Sequence, residues 1–334
     1  MPPNDVPPRI GISACLLGQP VRYDAGHKRD GFLVETFGPH VEWVPVCPEV
    51  EAGFGVPRET LRLEWRSAGA AGTSRARGQR IDPRHVALVF PKTGQDVTAT
   101  MRQYAGRRAA ELVQENLSGY VLKKDSPSCG MERVKVYSGA AVERSGRGLF
   151  AEALIATLPN LPVEEEGRLA DPRLRDNFVE RVFAYQRLRT LFSRRWNHHD
   201  LVRFHTAHKL TLMAHSPKAY HALGRLVANA GKRSGSSVEQ EYEGGFMRAL
   251  SVVATPGRHA NVLQHMLGYF KKSLDADARQ ELLGLIEDHR RERVPLVVPI
   301  TLMKHHVRRQ GVAYLEGQVY LDPHPRELCL RNHV

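Results

Sequence analysis

Lys123-Lys124-Asp125-Ser126-Pro127-Ser128-Cys129-Gly130 follows directly on the apolar run Gly119-Tyr120-Val121-Leu122. A short unbroken apolar run that closes on turn-forming residues predicts a buried strand, here ending in a polar turn with a thiol at its tip. The pattern occurs twice earlier. Arg9-Ile10-Gly11-Ile12-Ser13-Ala14 leads to Cys15, and Val41-Glu42-Trp43-Val44-Pro45-Val46 leads to Cys47, followed at once by Pro48-Glu49. Each of these three predicted strands delivers one cysteine.

Between the strands the pattern changes to helical spacing. A short helix is expected near Phe32–Phe37, a strand over Val86–Phe90, a helix from Val97 to Leu117 carried by Met101, Tyr104, Ala105, Ala109 and Leu112, and another over Gly148–Thr157. Arg66–Arg80, rich in Ser, Gly and Arg, reads as a mobile insertion, and Pro159–Gly167 as a Pro- and Glu-rich joint. This alternation predicts an α/β domain: an open, mostly parallel sheet with helices on both faces, which collects ligands outside the carboxyl ends of its strands. Cys15, Cys47 and Cys129 all fall there. The competing reading, three ordinary core thiols, suits any one of them. Turn chemistry and polar neighbours at all three favour a shared site.

The chain has 334 residues, enough for two domains, and the expected division is 1–165 followed by a mainly α-helical basic domain over 166–334. Met1-Pro2-Pro3-Asn4-Asp5 has no basic segment leading into an apolar run, and no stretch is apolar for long enough to span a bilayer. A cytoplasmic protein without membrane contact is expected. The four cysteines are far apart and form no disulfide framework. Cys329, between Leu328 and Leu330, reads as a buried structural thiol.

The formal charge of +12 is unevenly spread: residues 1–168 hold 22 Lys+Arg against 20 Asp+Glu, residues 169–334 hold 26 against 16. That excess suits a polyanion, since neutralised phosphates release counterions, although a basic surface without a partner explains it equally well. Asn177–Trp196 places Phe178, Val182, Tyr185, Leu188, Leu191 and Phe192 on one stripe with arginines around it, an amphipathic basic helix. Six more helices are expected, around 201–214, 217–230, 238–253, 260–272, 276–292 and 300–309. Thirteen of the 16 histidines lie in this half, but no His-Glu-x-x-His pattern occurs, so they are expected on the surface or against RNA rather than on zinc. Arg203, Lys209, Arg258, Lys271, Lys272, Arg308 and Arg309 are the candidate phosphate contacts.

The motifs Ile12-Ser13-Ala14-Cys15-Leu16-Leu17-Gly18 with Val21-Arg22-Tyr23-Asp24, Pro45-Val46-Cys47-Pro48-Glu49 leading to Pro57-Arg58, and Ser126-Pro127-Ser128-Cys129-Gly130 resemble the thiouracil desulfidase family across the whole first half. The segment Val50-Glu51-Ala52-Gly53-Phe54-Gly55 departs from the double-glycine form expected there. The resemblance implies a [4Fe-4S] cluster held by Cys15, Cys47 and Cys129 only, with one iron open to a thione sulfur. Arg203-Phe204-His205-Thr206-Ala207-His208-Lys209, Gly257-Arg258-His259-Ala260-Asn261-Val262-Leu263-Gln264-His265 and Tyr314-Leu315-Glu316-Gly317-Gln318-Val319-Tyr320-Leu321 resemble the longer, two-domain form, similar to tRNA 4-thiouridine desulfidases. That similarity implies thiolated tRNA as partner.

The chemistry is consistent with this. An iron with a free position binds soft sulfur and withdraws electron density from the ring carbon, where water attacks, so the reaction is a non-redox hydrolysis giving uridine and sulfide. Glu49 is the candidate to move the proton and Ser126 to hold base or water, and both match the family's catalytic pair. Read without the resemblance, they are a solvated strand-end glutamate and a turn serine. Ser13, Arg22, Asp24, Arg58, Lys123 and Lys124 are candidate contacts to base, sugar or phosphate. Two alternatives stay open: a desulfidase of free thiouracil or a thiouridine nucleotide, and a non-catalytic RNA-binding protein. A sulfur-adding enzyme is disfavoured by the lack of a Gly-rich phosphate loop ending in Lys-Ser/Thr.

Overall fold

The computed structural model describes residues 6–66, 85–271 and 273–333. The expected insertion falls mainly on 67–80, outside the described residues, as does Lys272. The chain divides into two compact units, Pro7–Ala170 and the part from Asp171 onward.

The first unit is α/β. Strands β1 (Arg9–Ser13), β2 (Glu42–Val46), β5 (Gly119–Leu122) and β8 (Val163–Glu165) form one sheet in the order β2-β1-β5-β8, every pair parallel. The chain steps from β1 to β2 in one direction, then returns past β1 to β5 and on to β8. Right-handed crossovers therefore put the π-helical turn Phe32–Phe37 on one face and the helices α2 (Thr98–Gln114) and α3 (Leu149–Thr157) on the other. Tyr104 of α2 and Phe150 of α3 meet at 6.4 Å between ring centroids, and Phe150 packs on Tyr120 of β5 at 5.9 Å.

β8 corrects the reading of Pro159–Gly167 as a joint. Glu164 and Glu165 look like linker residues in the sequence, yet both are buried. Glu164 pairs with Arg168 at 2.6 Å, and Glu165 accepts from Met131 N at 2.7 Å. A second sheet, not expected from the sequence, joins β4 (Val86–Val89), β3 (Arg62–Trp65), β6 (Val134–Ser138) and β7 (Ala141–Gly146) in that order. β3–β6 is its one parallel pair.

The second unit is helical throughout its described residues. It comprises α4 (Pro172–Phe192), α5 (His198–Ala207), α6 (Lys209–His215), α7 (Pro217–Asn229), α8 (Gly235–Leu250), α9 (Pro256–Leu267), α10 (Ala276–Arg290), α11 (Val297–Gln310) and the short α12 (Ala313–Glu316). The predicted helix over 201–214 is two helices broken at His208. α4 starts five residues earlier than its apolar stripe suggested, because Asp171 caps it by accepting from Arg173 N and Leu174 N ahead of Pro172. It is also more buried than a basic surface helix: Arg187 lies inside, its Nη2 donating to Pro323 O at 2.6 Å, and burial pulls it down to about 10. Leu210, Leu263, Met266, Phe270, Leu282, Ile286 and Met303 form the core of α6 and α9–α11.

The histidines are the larger correction. His205, His208, His215, His289 and His306 are buried, not presented at the surface. His205 Nδ1 bonds to Tyr242 Oη at 3.0 Å and His208 Nδ1 to Phe204 O at 2.9 Å, and burial lowers these rings to about 4 and about 3. The folded rings stay neutral where those of the unfolded chain take up protons, below about pH 6.5. The unfolded state then binds more protons, so stability falls as pH falls from 6.5 towards 4, by up to about 1.4 kcal/mol per pH unit for each ring. Denaturant unfolding followed between pH 7 and pH 4.5 should show this loss, and replacing both histidines by Gln should lessen it, the remainder coming from rings such as His259, which burial lowers to about 3.

Candidate active site

Parallel pairing brings the carboxyl ends of β1, β2 and β5 to one edge, with Ser13 beside Val46 and Ile12 beside Val121. The chain direction across the sheet reverses about β1, which opens the crevice where open α/β sheets bind ligands. β1 passes straight into the turn Ala14–Leu17, which carries Cys15 and is closed by Gly18 at φ 91°. Cys47 is the N-cap of the single-turn helix α1 (Pro48–Glu51), its backbone N held by Glu51 Oε1 at 2.9 Å. Cys129 follows the loop after β5. The three cysteines line one cavity of about 380 Å³ together with Ser13, Arg22, Glu49, Arg58, Lys123, Lys124 and Ser126.

The Cys129 loop is fixed from two sides. Ser126 Oγ accepts from Ser128 N at 3.2 Å and from Cys129 N at 3.0 Å, so this residue shapes the thiol's turn as well as facing the cavity. The first amides of α3 bind the same loop: Leu149 N donates to Pro127 O, and Phe150 N and Ala151 N to Ser128 O, at 3.0–3.2 Å. Only glycine fits before them. A Cβ on Gly148 would lie 2.4 Å from Ser128 O. Gly148→Ala is therefore expected to push the Cys129 loop off α3 and cost about 1–3 kcal/mol in thermal unfolding, with loss of iron binding in reconstitution. Unchanged melting and iron content would show that the loop is not set by this contact.

Ser13 Oγ accepts from Lys123 N at 3.0 Å, tying β1 to β5, and its hydroxyl also bonds the Cys129 thiol. Lys123 Nζ is paired with Glu166, whose other oxygen accepts from Lys124 N at 2.7 Å. Glu49 is clamped by Arg58, whose Nε donates to Oε2 at 2.9 Å and whose Nη2 donates to the same oxygen. Arg58 Nη1 in turn donates to Val21 O at 3.0 Å and Gly55 O at 2.9 Å. Both bonds to Glu49 fall on Oε2, leaving Oε1 to meet a ligand.

Burial pushes the Cys15 thiol up to about 11, partly opposed by the Lys123 charge. Burial also raises Cys47 against the amides of Val50 and Glu49, and raises Cys129 against the bond from Ser13. Cys129 senses the charge of Cys47 and Cys15, as expected of thiols facing one space. Such soft donors suit iron and sulfur. Among the described residues no three His, Cys, Asp or Glu side chains converge as they would on a single metal ion. A cluster takes each thiolate on a different iron, so the cavity with three thiols spread around its wall fits that larger group.

Asp24 is not on the cavity wall. It is exposed, accepts from Gly26 N at 3.1 Å and pairs with Arg22 at 3.6 Å, which makes it a turn residue. Glu166 was missed because its acid-rich segment reads as a joint. Tyr23 and Asp125, within the sequence motifs but not singled out by them, also line the cavity, as do Lys28, Thr60 and Leu61, which stand in loops without a pattern to mark them. In the second unit Arg203 is exposed and lies 3.9 Å from Asp200, and Lys271, Arg308 and Arg309 are exposed. Lys209 is half-buried over two tyrosine rings, and Arg258 is turned inward, donating to His215 O at 2.8 Å. Cys329 is exposed, against expectation, in a left-handed conformation after a tight turn.

The family model described as 2-thiouracil desulfurase matches residues 10–166, from β1 to the glutamate that holds Lys123. In its first half, the chain resembles the 2-thiouracil desulfurase family. The desulfurase half is followed by a match, over residues 209–325, to a family described as protein of unknown function DUF1722. The chain is 34% identical over 161 residues to the uncharacterised protein YbgA of Escherichia coli (strain K12), covering 48% of this chain and 95% of that one. It is 29% identical over 139 residues to the uncharacterised protein YbbK of Bacillus subtilis (strain 168), covering 41% and 84%. Among solved structures, a [4Fe-4S]-dependent thiouracil desulfidase, TudS, is 26% identical with a TM-score of 0.36, over 52% of this chain and 99% of that chain.

Proposed function

We propose that the protein is a tRNA 4-thiouridine desulfidase, its unit of residues 7–170 catalytic and its helical unit holding the RNA. The observation that carries this is the single cavity where Cys15, Cys47 and Cys129 meet Glu49 and Ser126. Cys15, Cys47 and Cys129 would hold a [4Fe-4S] cluster, which when bound supplies a Lewis-acidic iron for a thione sulfur.

This chain's own residues do the rest. Glu49 Oε1, with Oε2 fixed by Arg58, takes a proton from the water that attacks the ring carbon. Ser126 Oγ accepts two backbone amides, so its own hydrogen is free to donate to the base. Lys123, held by Glu166, and Arg22 offer cations to the adjoining phosphate or sugar. The carbon–sulfur bond breaks, a carbon–oxygen bond forms, and sulfide leaves with the protons of water, so no electron donor is needed. The excess of basic residues after position 168 supports a polyanionic substrate.

The test is anaerobic reconstitution with iron and sulfide, then incubation with thiolated tRNA while following the 4-thiouridine absorbance and released sulfide. Loss that requires all three cysteines supports the reading. Turnover of free thiouracil but not of tRNA would move the substrate to the free base, and a chain that takes up no cluster would overturn the mechanism.

A further inference from the structure

On the second unit, besides the rings buried in its core, a group of aromatic rings gathers towards the surface. Tyr269, beyond the end of α9, is 42% exposed, and its ring stacks on Tyr314 of α12 with centroids 5.0 Å apart and planes 17° from parallel. His265 meets the edge of Tyr269 at 5.6 Å. Tyr220 of α7 stands on the other side of Lys209, whose ammonium lies 5.7 Å from the Tyr314 ring centroid and 6.0 Å from that of Tyr220. Four separate elements thus contribute to one patch.

Burying Tyr269 would stabilise the fold; leaving its ring open to water over the half-buried Tyr314 does not. A flat π-face beside a fixed cation is the arrangement that receives an unpaired base and its phosphate. An apolar protein partner would suit the patch less well, because Lys209 would have to be desolvated and its half of the chain carries most of the positive charge.

We propose that Tyr269, Tyr314 and Lys209 form a stacking platform for an unpaired nucleobase of the RNA, with Lys209 meeting the neighbouring phosphate. The proposal rests on the reading of RNA as partner. It adds a place on the second unit where an unpaired base of the RNA is held.

The experiment measures binding of full-length protein to tRNA and to a single-stranded oligoribonucleotide across a salt series, with desulfidation of free 4-thiouracil as an activity that does not use the platform. Tyr269→Ala with Tyr314→Ala should weaken RNA binding roughly tenfold or more at constant salt slope. Tyr269→Phe should keep affinity, which separates stacking from misfolding. Lys209→Gln should lower the salt slope by about one. Tyr269→Trp should show fluorescence quenching on adding the oligonucleotide. Wild-type RNA binding with unchanged affinity in the double alanine variant overturns the platform and leaves the RNA reading standing. No RNA binding by the wild type overturns the RNA reading and the platform with it; a protein partner is then the occupant to seek.

Discussion

Glu49→Gln is expected to lower the rate of 4-thiouridine loss by about 10²- to 10⁴-fold while leaving the absorbance of the reconstituted cluster unchanged. The amide keeps the shape and can still accept from Arg58, but it cannot take a proton from water. Arg58 is almost wholly buried, with a side-chain exposure of 5%, so its own bonds to Val21 O and Gly55 O keep it in place in the variant. The comparison to make is initial rate per mole of cluster. A full rate in the variant would remove Glu49 from the reaction and leave Ser126 as the group to examine. A rate that falls together with cluster content would give Glu49 a purely structural role beside Cys47.

The second large effect concerns stability. Glu180 of α4 is buried with His215 at 3.4 Å and Arg331 at 3.7 Å. Burial alone would raise its carboxyl, but the His215 bond and charge and the Arg331 charge bring it well below the usual carboxylate range. Glu180→Gln removes the carboxylate that His215 and Arg331 share and leaves Asp176 as their common counter-charge, and is expected to cost about 3–5 kcal/mol. For a unit of this size that is roughly 10 °C in melting temperature. Because the folded carboxylate holds its charge where the unfolded one begins to protonate, the wild-type stabilisation is present above about pH 4.5 and fades below it. The difference between wild type and variant should narrow there; a constant difference across pH would show that the variant loses packing and not charge.

What was legible in the sequence follows from how each segment is buried. β1 and β5 are covered on both faces and carry continuous apolar runs, so the thiols at their ends could be placed at one sheet edge from the sequence alone. β3 and β7 are half-exposed, with Arg62, Glu64, Glu143 and Arg144 interrupting any apolar pattern, and their sheet went unseen. β8 was hidden for the opposite reason: its glutamates are buried because partners on other segments satisfy them, and partners distant in sequence leave no local signal. The buried histidines of the helical unit were misplaced in the same way, since polar side chains read as surface until Tyr242 and Glu180 are brought beside them.

The position of β8 decides where the protein can be cut. A truncation ended at Pro159, at the start of what reads as a joint, would delete an edge strand, open the side of β5, and strip Lys123 of its counter-ion. A desulfurase fragment for exchange or crystallisation should run to Ala170. Fusions to it should be joined beyond that residue, so that Glu165 and Glu166 travel with the thiols they support.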